Sequence, residues 1–235
     1  MDSSEMTLDP RAHVWKMFNQ ISSTYDKVNR IVSLGQDVRW RKKVAKELPL
    51  KLHLEVLDIA SGTGDQIGAF FAAGLSIQKA VGVDLANEML AIARKKFASI
   101  KEVEFLHGDA QKLPFKEASF DAASFSFGIR NVEDPLKALQ EMRRVLKPKG
   151  KAFILEFSMP NRWVRPLFLF YLRSILPRLG GLFSKQKSAY QYLNRTVESF
   201  PSGAAFCAWM EKAGFKAVKR QTMNFGSVTL YSGEK

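Results

Sequence analysis

The chain has 235 residues, of which 46% are hydrophobic and 25% are charged, and these values exclude a fibrous or wholly disordered protein. An excess of 36 Lys and Arg over 23 Asp and Glu gives a net charge of +13, which indicates an anionic partner, either nucleic acid or the surface of an anionic membrane. A single cysteine, Cys207, excludes a disulfide framework and favours a reducing, cytoplasmic compartment.

The N-terminal part of the chain divides into a polar stretch and a helical arm. Residues 1–12 lack the apolar run of a signal peptide and have the composition of a disordered segment. Residues 12–47 have the apolar spacing of amphipathic helices, and we interpret them as a lid that precedes the core.

Strand and helix signals alternate over residues 48–157, which is the pattern of a parallel sheet covered by helices. The predicted strands are 54–60, 79–85, 103–107, 120–125 and 151–157. The predicted helices are 65–73, 87–97 and 135–146, and Asp134-Pro135 begins the last of them. We interpret this part of the chain as a cofactor-binding core.

Residues 158–200 interrupt the alternation, and we interpret them as a helical insertion on the substrate side. Apolar residues recur there at helical spacing from 164 to 179, but the prolines and arginines argue against a membrane-spanning helix. The segment suits an interfacial helix or a roof over a lipid tail. A helix packed on the sheet or on another subunit is the alternative.

Residues 201–235 complete the core with a helix at 202–213 and two β-prone runs, 216–223 and 227–231, joined as a hairpin. The chain is therefore predicted to form one Rossmann-like α/β domain over residues 1–235. Its sheet should be mostly parallel and seven-stranded, with helices on both faces and a C-terminal antiparallel hairpin.

A glycine-containing turn after the first strand is the strongest local signal for a ligand. Gly62 and Gly64 let the backbone pass close to a nucleotide-like molecule. Asp84 follows 20 residues after Gly64, at the tip of the next strand, where a carboxylate can bind two ribose hydroxyls. The third glycine that NAD-binding turns normally carry is missing at its expected position.

The ends of the third and fourth strands favour S-adenosylmethionine over NAD as the cofactor. Asp109 can accept a hydrogen bond from the adenine amino group, and the Ala110 amide can donate to the ring. Ser126 ends the fourth strand, where we expect the sulfonium side of the cofactor. All of these residues fall at carboxyl ends of strands, where open α/β sheets bind ligands.

Longer motifs resemble those of the C-methyltransferases of ubiquinone and menaquinone synthesis, over nearly the whole chain after residue 17. The most specific are Tyr25-Asp26-Lys27-Val28-Asn29 and Ser126-Phe127-Gly128-Ile129-Arg130-Asn131-Val132. Further matches are Ser33-Leu34-Gly35, Trp40-Arg41, Arg144-Val145-Leu146-Lys147-Pro148, Leu155-Glu156-Phe157-Ser158, Leu176-Pro177-Arg178, Tyr190-x-Tyr192-Leu193 and Phe200-Pro201.

The resemblance implies a class I methyltransferase fold, S-adenosylmethionine as cofactor and a prenylated quinol as substrate. Demethylmenaquinol is favoured by the short N-terminal arm, and the benzoquinol of the ubiquinone pathway stays open. The implied cofactor contacts are Thr63, Asp84, Asp109, Ala110 and Ser126. Two departures from the family pattern are Ser61 and Lys149, which stand where relatives carry glycine. Ser61 is acceptable if its φ is negative.

Arg130 is the candidate catalytic residue. A quinol ring carbon becomes nucleophilic when the adjacent hydroxyl loses its proton, and a cation near that oxygen promotes the loss. Arg130 is a lone guanidinium at a strand end, and it stays protonated, so it would stabilise the phenolate or hold the water that takes the proton. A structural salt bridge to Glu133, Asp134 or a lid carboxylate is the alternative.

Tyr25 and Asp26 are further catalytic candidates, because the lid could bring them over the substrate. Asp26 could orient the substrate hydroxyl or Arg130. A helix cap or an interhelical hydrogen bond is the alternative for both.

The charge and the insertion together favour peripheral contact with an anionic membrane at its inner, cytoplasmic face, and a homodimer is a further expectation. We expect no metal ion. We also expect no nucleic-acid partner, because an N-P-P-Y-type motif, a motif cysteine and an appended RNA module are missing. Alternatives are a methyltransferase of another small aromatic or lipid substrate, a basic nucleic-acid-binding or RNA-modifying protein, and a silent S-adenosylmethionine-binding scaffold. A basic surface that only aids solubility is the alternative to an anionic partner.

Overall fold

A computed structural model describes residues 13–176, 178 and 187–235, with the backbone alone for residues 187–191. Some predictions therefore lie outside the described residues. They are the disordered stretch 1–12, the apolar position 179, the motif residue Pro177 and the side chain of Tyr190.

Seven strands form one sheet in the order β3-β2-β1-β4-β5-β7-β6. The strands are β1 Leu54–Ile59, β2 Ile77–Asp84, β3 Val103–His107, β4 Phe120–Ser126, β5 Leu146–Phe157, β6 Lys216–Met223 and β7 Val228–Glu234. The first five are parallel, and β7 is antiparallel to both β5 and β6. The predicted parallel sheet with a C-terminal antiparallel hairpin is therefore confirmed.

Eight α-helices lie in the described residues. They are α1 Val14–Val32, α2 Gln36–Glu47, α3 Asp65–Ala72, α4 Asn87–Lys96, α5 Pro135–Val145, α6 Arg165–Phe170, α7 Lys187–Ser199 and α8 Ala204–Lys212. A π-helical turn, Tyr171–Ile175, continues α6. The predicted start of α5 is confirmed, because the Asp134 carboxylate accepts a 3.0 Å hydrogen bond from the Lys137 amide.

The central strands β1 and β4 are almost wholly buried, because helices cover both faces of the sheet there. All seven residues of β4 are buried. On β1, Val56 and Leu57 point to opposite faces, so Val56 packs in a cluster with Ile67 of α3 while Leu57 packs in another with Leu139 of α5. The order of strands reverses between β1 and β4, and such a switch point is where α/β sheets bind ligands beyond the strand ends.

The lid and the insertion pack against each other above this edge of the sheet. A third apolar cluster joins Ile21 and Val28 of α1 to Met89 of α4, Leu172 of the insertion and Val197 of α7. Within the described ranges, no helix is long and apolar enough to cross a bilayer. The division of the single domain into lid, core, insertion and final segment stays a prediction.

The predicted boundary between α5 and β5 is wrong. The helix ends at Val145 and the strand begins at once with Leu146, whereas the prediction extended the helix to residue 146 and began the strand at 151. The pairing of β5 with β4 shifts register near Lys147–Gly150, so the strand accommodates Pro148 and a positive φ at Lys149. Ser61 does not have a positive φ, but Ala60 before it does.

Candidate functional site

Two cavities open at the carboxyl ends of the parallel strands. The smaller, of about 160 Å³, lies beside α1 over the ends of β1 to β4. The larger, of about 390 Å³, lies between α1, α2, α7 and the segment that follows β5. Phe18, Tyr25 and Phe127 line both cavities and therefore form the wall between them.

The turn after β1 presents bare backbone to the smaller cavity. Gly62 has a φ of +55°, and a Cβ there would have no atom within 4 Å, so a ligand can lie against this backbone. Gly64 has a different role. A Cβ at Gly64 would lie 2.8 Å from the Phe97 ring and 2.9 Å from the Phe105 ring, so this glycine permits close packing and does not line either cavity.

The structure places Asp84 at the carboxyl end of β2, facing the smaller cavity. Its Oδ2 accepts a 2.8 Å hydrogen bond from the Gly62 amide, and its Oδ1 accepts one of 2.8 Å from the Ala86 amide. Burial raises the pKa of the Asp84 carboxyl, and these backbone hydrogen bonds oppose the rise. The carboxylate is therefore held in one orientation at a strand tip, where it can accept hydrogen bonds from a diol.

Three further predicted residues line the smaller cavity: Asp109, Ala110 and Ser126. Asp109 Oδ1 accepts a 2.8 Å hydrogen bond from the Gln111 amide, which fixes the carboxylate just after β3. The Ser126 hydroxyl donates to Gln66 Oε1 at 3.0 Å. The structure thus brings these residues together with Asp84 and Gly62 around one cavity.

Thr63 and Asp26 contact each other and line neither cavity. The Thr63 hydroxyl donates to Asp26 Oδ1 at 2.6 Å, and Lys96 Nζ donates to Asp26 Oδ2 at 3.1 Å. Lys96 also pairs with Asp65, at the start of α3, over 2.7 Å. These contacts join the lid to the glycine turn, and they keep Asp26 away from the cavity where we expect a substrate.

Tyr25 lies in the wall between the two cavities, and Asn29, one turn further along α1, lines the larger cavity beside it. Burial raises the pKa of the Tyr25 phenol, and the positive charges of Arg41 and Arg130 oppose the rise. Tyr25 is therefore protonated at neutral pH, and it can donate a hydrogen bond to a ligand that reaches the wall.

Arg130 lies in a 3-10 turn, Ile129–Asn131, directly after β4, and it lines the larger cavity. Its Nη1 donates to Glu156 Oε1 at 2.6 Å and to the Phe127 carbonyl at 2.7 Å. Its guanidinium lies 5.3 Å from the centre of the Phe157 ring. Both partners of this ion pair are buried, with the side chains 7% and 1% exposed.

Glu156 is a partner that sequence reasoning missed, because the salt-bridge alternatives for Arg130 were Glu133, Asp134 or a lid carboxylate. Burial raises the pKa of the Glu156 carboxyl, and the adjacent Arg130 opposes the rise. One signal could have identified it: Glu156 is a lone charge in the otherwise apolar end of β5, and such a charge needs a buried partner.

Arg41 is a second residue whose place in the site was not predicted from the sequence. It belongs to the Trp40-Arg41 motif, lines the larger cavity, and its guanidinium lies 5.5 Å from the centre of the Phe127 ring. No ion pair joins it to a carboxylate among the described residues. The site therefore contains an unpaired cation close to the wall, in addition to the paired Arg130.

Several buried polar atoms around this wall have no hydrogen-bond partner among the described residues. They are Arg41 Nε, Arg130 Nε, Asn131 Oδ1 and Glu156 Oε2. Buried polar atoms are normally paired, and here Arg41 and Arg130 line the larger cavity while Asn131 lines the smaller one. A polar ligand at the wall would supply partners to those of these residues that line a cavity.

Apolar side chains from the lid and the insertion form most of the larger cavity. They include Met17, Ile21, Val28, Phe168, Leu172 and Val197. The Tyr171 hydroxyl donates to the Val32 carbonyl at 2.5 Å and so attaches the insertion to the end of α1. The insertion therefore covers the larger cavity, and the cavity suits a ligand with a polar end at the wall and an apolar remainder.

Comparison with known sequences places the chain among methyltransferases. A sequence model of the ubiE/COQ5 methyltransferase family matches residues 6–235. The chain is 42% identical over 230 residues to the demethylmenaquinone methyltransferase of Chlorobaculum tepidum. The matched region covers 96% of this chain and 93% of the relative. It is 41% identical over 229 residues to a ubiquinone/menaquinone biosynthesis C-methyltransferase UbiE of Campylobacter jejuni, over 94% and 96% of the two chains.

Among solved structures, the chain resembles a SAM-dependent methyltransferase of Thermotoga maritima, described as a possible histamine N-methyltransferase. The two superpose with a TM-score of 0.68 at 24% identity, over 94% of this chain and 99% of the other. At this level of identity the likeness supports the fold, and it says nothing of the substrate.

Proposed function

This chain belongs to the ubiE/COQ5 methyltransferase family, and we propose, from its two adjoining cavities, how it methylates a prenylated quinol. The protein is an S-adenosylmethionine-dependent methyltransferase that acts on a ring carbon in quinone synthesis. We take demethylmenaquinol as the substrate and menaquinol as the product, and the benzoquinol of the ubiquinone pathway as the second substrate to be tested. The observation that supports a quinol with a polar head and an apolar tail is the larger cavity, which has Arg41 and Arg130 at the wall and apolar side chains over the rest of its lining.

The residues around the smaller cavity fit S-adenosylmethionine. The open backbone at Gly62 leaves room for the amino-acid part of the cofactor. Asp84 would accept hydrogen bonds from the ribose hydroxyls, and Asp109 and Ala110 would hold the adenine. Ser126 would lie close to the sulfonium. When bound, the cofactor supplies a methyl group that the positive sulfur already activates.

The quinol ring would lie at the wall, and its prenyl tail would lie along the apolar part of the larger cavity. Arg130 would place its guanidinium beside the ring hydroxyl and stabilise the phenolate that forms when this hydroxyl loses its proton. Since arginine stays protonated, the proton would pass to another group or to water. Glu156 would hold the guanidinium in place through the 2.6 Å ion pair.

Tyr25 and Asp26 would act from the lid in different ways. Tyr25 would donate a hydrogen bond to a quinol oxygen, because it lies in the wall and its phenol is protonated at neutral pH. Asp26 would be a positioning residue, since its hydrogen bonds to Thr63 and Lys96 hold the lid against the glycine turn. Thr63 would then affect cofactor binding through the lid.

Peripheral contact with the cytoplasmic face of an anionic membrane completes the proposal. A prenylated quinol resides in the bilayer, and the net charge of +13 would attract the protein to anionic lipid. The homodimer and the absence of a nucleic-acid partner remain predictions.

The experiment is a methyl-transfer assay with the purified full-length chain, methyl-labelled S-adenosylmethionine and a prenylated demethylnaphthoquinol kept reduced. We expect the label in the ring of the product, as identified by mass spectrometry. The oxidised quinone is the matched control, because it has no ring hydroxyl to ionise and should accept no methyl group. Cells that lack the protein should accumulate the demethylated quinone. Methyl transfer to the oxidised form at an equal rate would contradict the proposed mechanism.

A further inference from the structure

Exposed apolar side chains lie beside the larger cavity. They come from three separate segments: Leu34 in the turn between α1 and α2, Phe225 in the turn between β6 and β7, and Trp163 with Leu167 and Phe170 at the start of the insertion. Leu34, Trp163 and Phe225 are 88%, 79% and 79% exposed, so water surrounds most of each side chain. We call these five residues the apolar rim.

Each segment of the apolar rim adjoins residues that line the cavity. Leu34 itself is a lining residue. Phe225 lies between the lining residues Asn224 and Ser227, and Phe170 directly precedes the lining residue Tyr171. The exposed apolar surface therefore continues directly into the apolar interior of the cavity.

Three hydrogen bonds hold the segments of the rim together. Tyr171 is bonded to the Val32 carbonyl, which ties the insertion to the turn that carries Leu34. The Trp40 indole donates to Asn224 Oδ1 at 2.8 Å, which ties α2 to the turn that carries Phe225. The Ser158 hydroxyl donates to the Gly226 carbonyl at 2.8 Å, which ties that turn to the strand end that leads to Trp163. The three segments thus present one connected surface.

The backbone of two of these turns is unusual for the side chains it carries. Leu34 has a φ of +52° and Phe225 a φ of +56°, a region that bulky residues rarely occupy. Neither side chain gains burial in return, because both project into water. Strained turns that expose large apolar residues are expected where those residues meet a partner.

The charge around the rim identifies that partner. Arg162 and Arg165 are exposed beside Trp163, and the Arg162 guanidinium lies 4.8 Å from the centre of the Trp163 ring. An apolar surface with an aromatic residue and flanking arginines is the composition of segments that lie in the interface of an anionic bilayer. Among the described residues, no helix is long and apolar enough to span that bilayer.

We propose that the apolar rim docks the protein on an anionic bilayer with the entrance of the larger cavity against the lipid, so that the prenyl tail enters the cavity without crossing water. This inference rests on the proposed function, since it assigns the cavity to a prenylated quinol. It adds to that function the surface by which the enzyme reaches a substrate that stays in the membrane.

The test compares two variants of the full chain in co-sedimentation with vesicles of phosphatidylglycerol and phosphatidylethanolamine. The rim variant is Trp163→Ser with Leu167→Ser and Phe225→Ser, none of which lines a cavity. The control variant is Leu50→Ser with Leu52→Ser, because these residues are equally exposed but lie before β1, at the opposite edge of the sheet. Methylation of a tail-less quinol in solution is measured in parallel and tests the proposed function independently of lipid.

We expect the rim variant to lose at least tenfold in vesicle partitioning, and the control variant to lose less than twofold. Both should methylate the tail-less quinol at the wild-type rate, and binding by the wild type should weaken with added salt. Equal partitioning of the rim variant and the wild type would overturn the proposal. The proposal would also be overturned if the wild type did not bind vesicles but formed a dimer that the rim variant could not form. A second copy of the chain would then cover the rim.

Discussion

The Nη1 atom of Arg130 lies 2.6 Å from Oε1 of Glu156, and neither side chain is accessible enough for water to separate them. Removing the charge from one residue of a buried pair leaves the other charge uncompensated, which destabilises the fold. A variant of Arg130 alone is therefore expected to lose both catalytic rate and stability of the fold. Changing Glu156 as well separates the two effects.

Arg130→Met should lower kcat by about 10- to 1,000-fold near neutral pH, because a nearby cation shifts a phenol pKa by roughly 1–3 units. The rate of this variant should rise with pH, since hydroxide then supplies the ionised quinol. Arg130→Lys should keep part of the rate, because it keeps the charge but loses the planar fork. Steady-state kinetics from pH 6 to pH 9 measure these effects, and the affinity for S-adenosylmethionine should change little.

The double variant Arg130→Met with Glu156→Gln should unfold at a higher urea concentration than Arg130→Met alone, because no unpaired charge remains in the interior. Its kcat should stay as low as that of the single variant. If the double variant recovered the wild-type rate, Arg130 would be needed only for structure, and its catalytic role would be lost.

Asp84→Asn should weaken S-adenosylmethionine binding by roughly 1.5–3 kcal/mol, the usual contribution of a hydrogen bond to a charged group. Isothermal titration calorimetry measures the loss. Glu104→Gln on β3 is the matched control, because this carboxylate is half exposed, pairs with Lys79, and lines neither cavity. If Asp84→Asn bound S-adenosylmethionine with wild-type affinity, Asp84 would not contribute to cofactor binding.

Replacement of Phe168, Tyr171 and Leu172 by serine should impair turnover of a long-tailed quinol far more than turnover of a tail-less analogue. These side chains line the larger cavity from the insertion, and we propose that they contact the tail and not the ring. The measurement is kcat/KM for both substrates. An equal loss on both would mean that the three residues support the fold of the lid and not the binding of the tail.

Asp58 should make the protein less stable as pH rises. Burial raises the pKa of its carboxyl to about 7, against an ordinary value of 3.8, although Ser124 donates a 2.6 Å hydrogen bond to it. Between these two values the folded state holds a proton that the unfolded state releases, so the free energy of unfolding falls from about pH 4 to pH 7 and then levels off. The difference of about 3 pH units corresponds to roughly 4 kcal/mol as an upper limit.

Asp58→Asn should remove this contribution, because an amide cannot ionise but can still accept the hydrogen bond from Ser124. Urea unfolding at pH 5 and at pH 8 measures it. The variant should be more stable than the wild type at pH 8 and closer to it at pH 5. A pH dependence identical to that of the wild type would show that Asp58 titrates normally.

The arrangement of the sheet could be predicted from the sequence because it depends on local patterns. The spacing between the glycine turn and Asp84 reflects one strand-helix-strand unit, and the structure has Asp84 at the end of β2. The hairpin at 224–226 follows from two adjacent β-prone runs. The start of β5 could not be predicted, because its first residues carry Pro148 and two lysines and are held in the sheet by pairing with β4.

Contacts between distant segments account for what the sequence did not indicate. Asp26 and Thr63 are 37 residues apart, and only the docking of α1 on the glycine turn brings them together. Glu156 meets Arg130 because β4 and β5 are neighbours and end at the same edge of the sheet. Motifs indicated that these residues matter, but the identity of each partner depends on packing.

The shared wall of the two cavities has a kinetic consequence. Phe18 and Tyr25 belong to the single helix α1 and line both cavities, so neither cavity can open by movement of α1 without disturbing the other. Spent cofactor and methylated product should therefore leave in one coupled event, and exchange of either should be slowed while its neighbour remains bound.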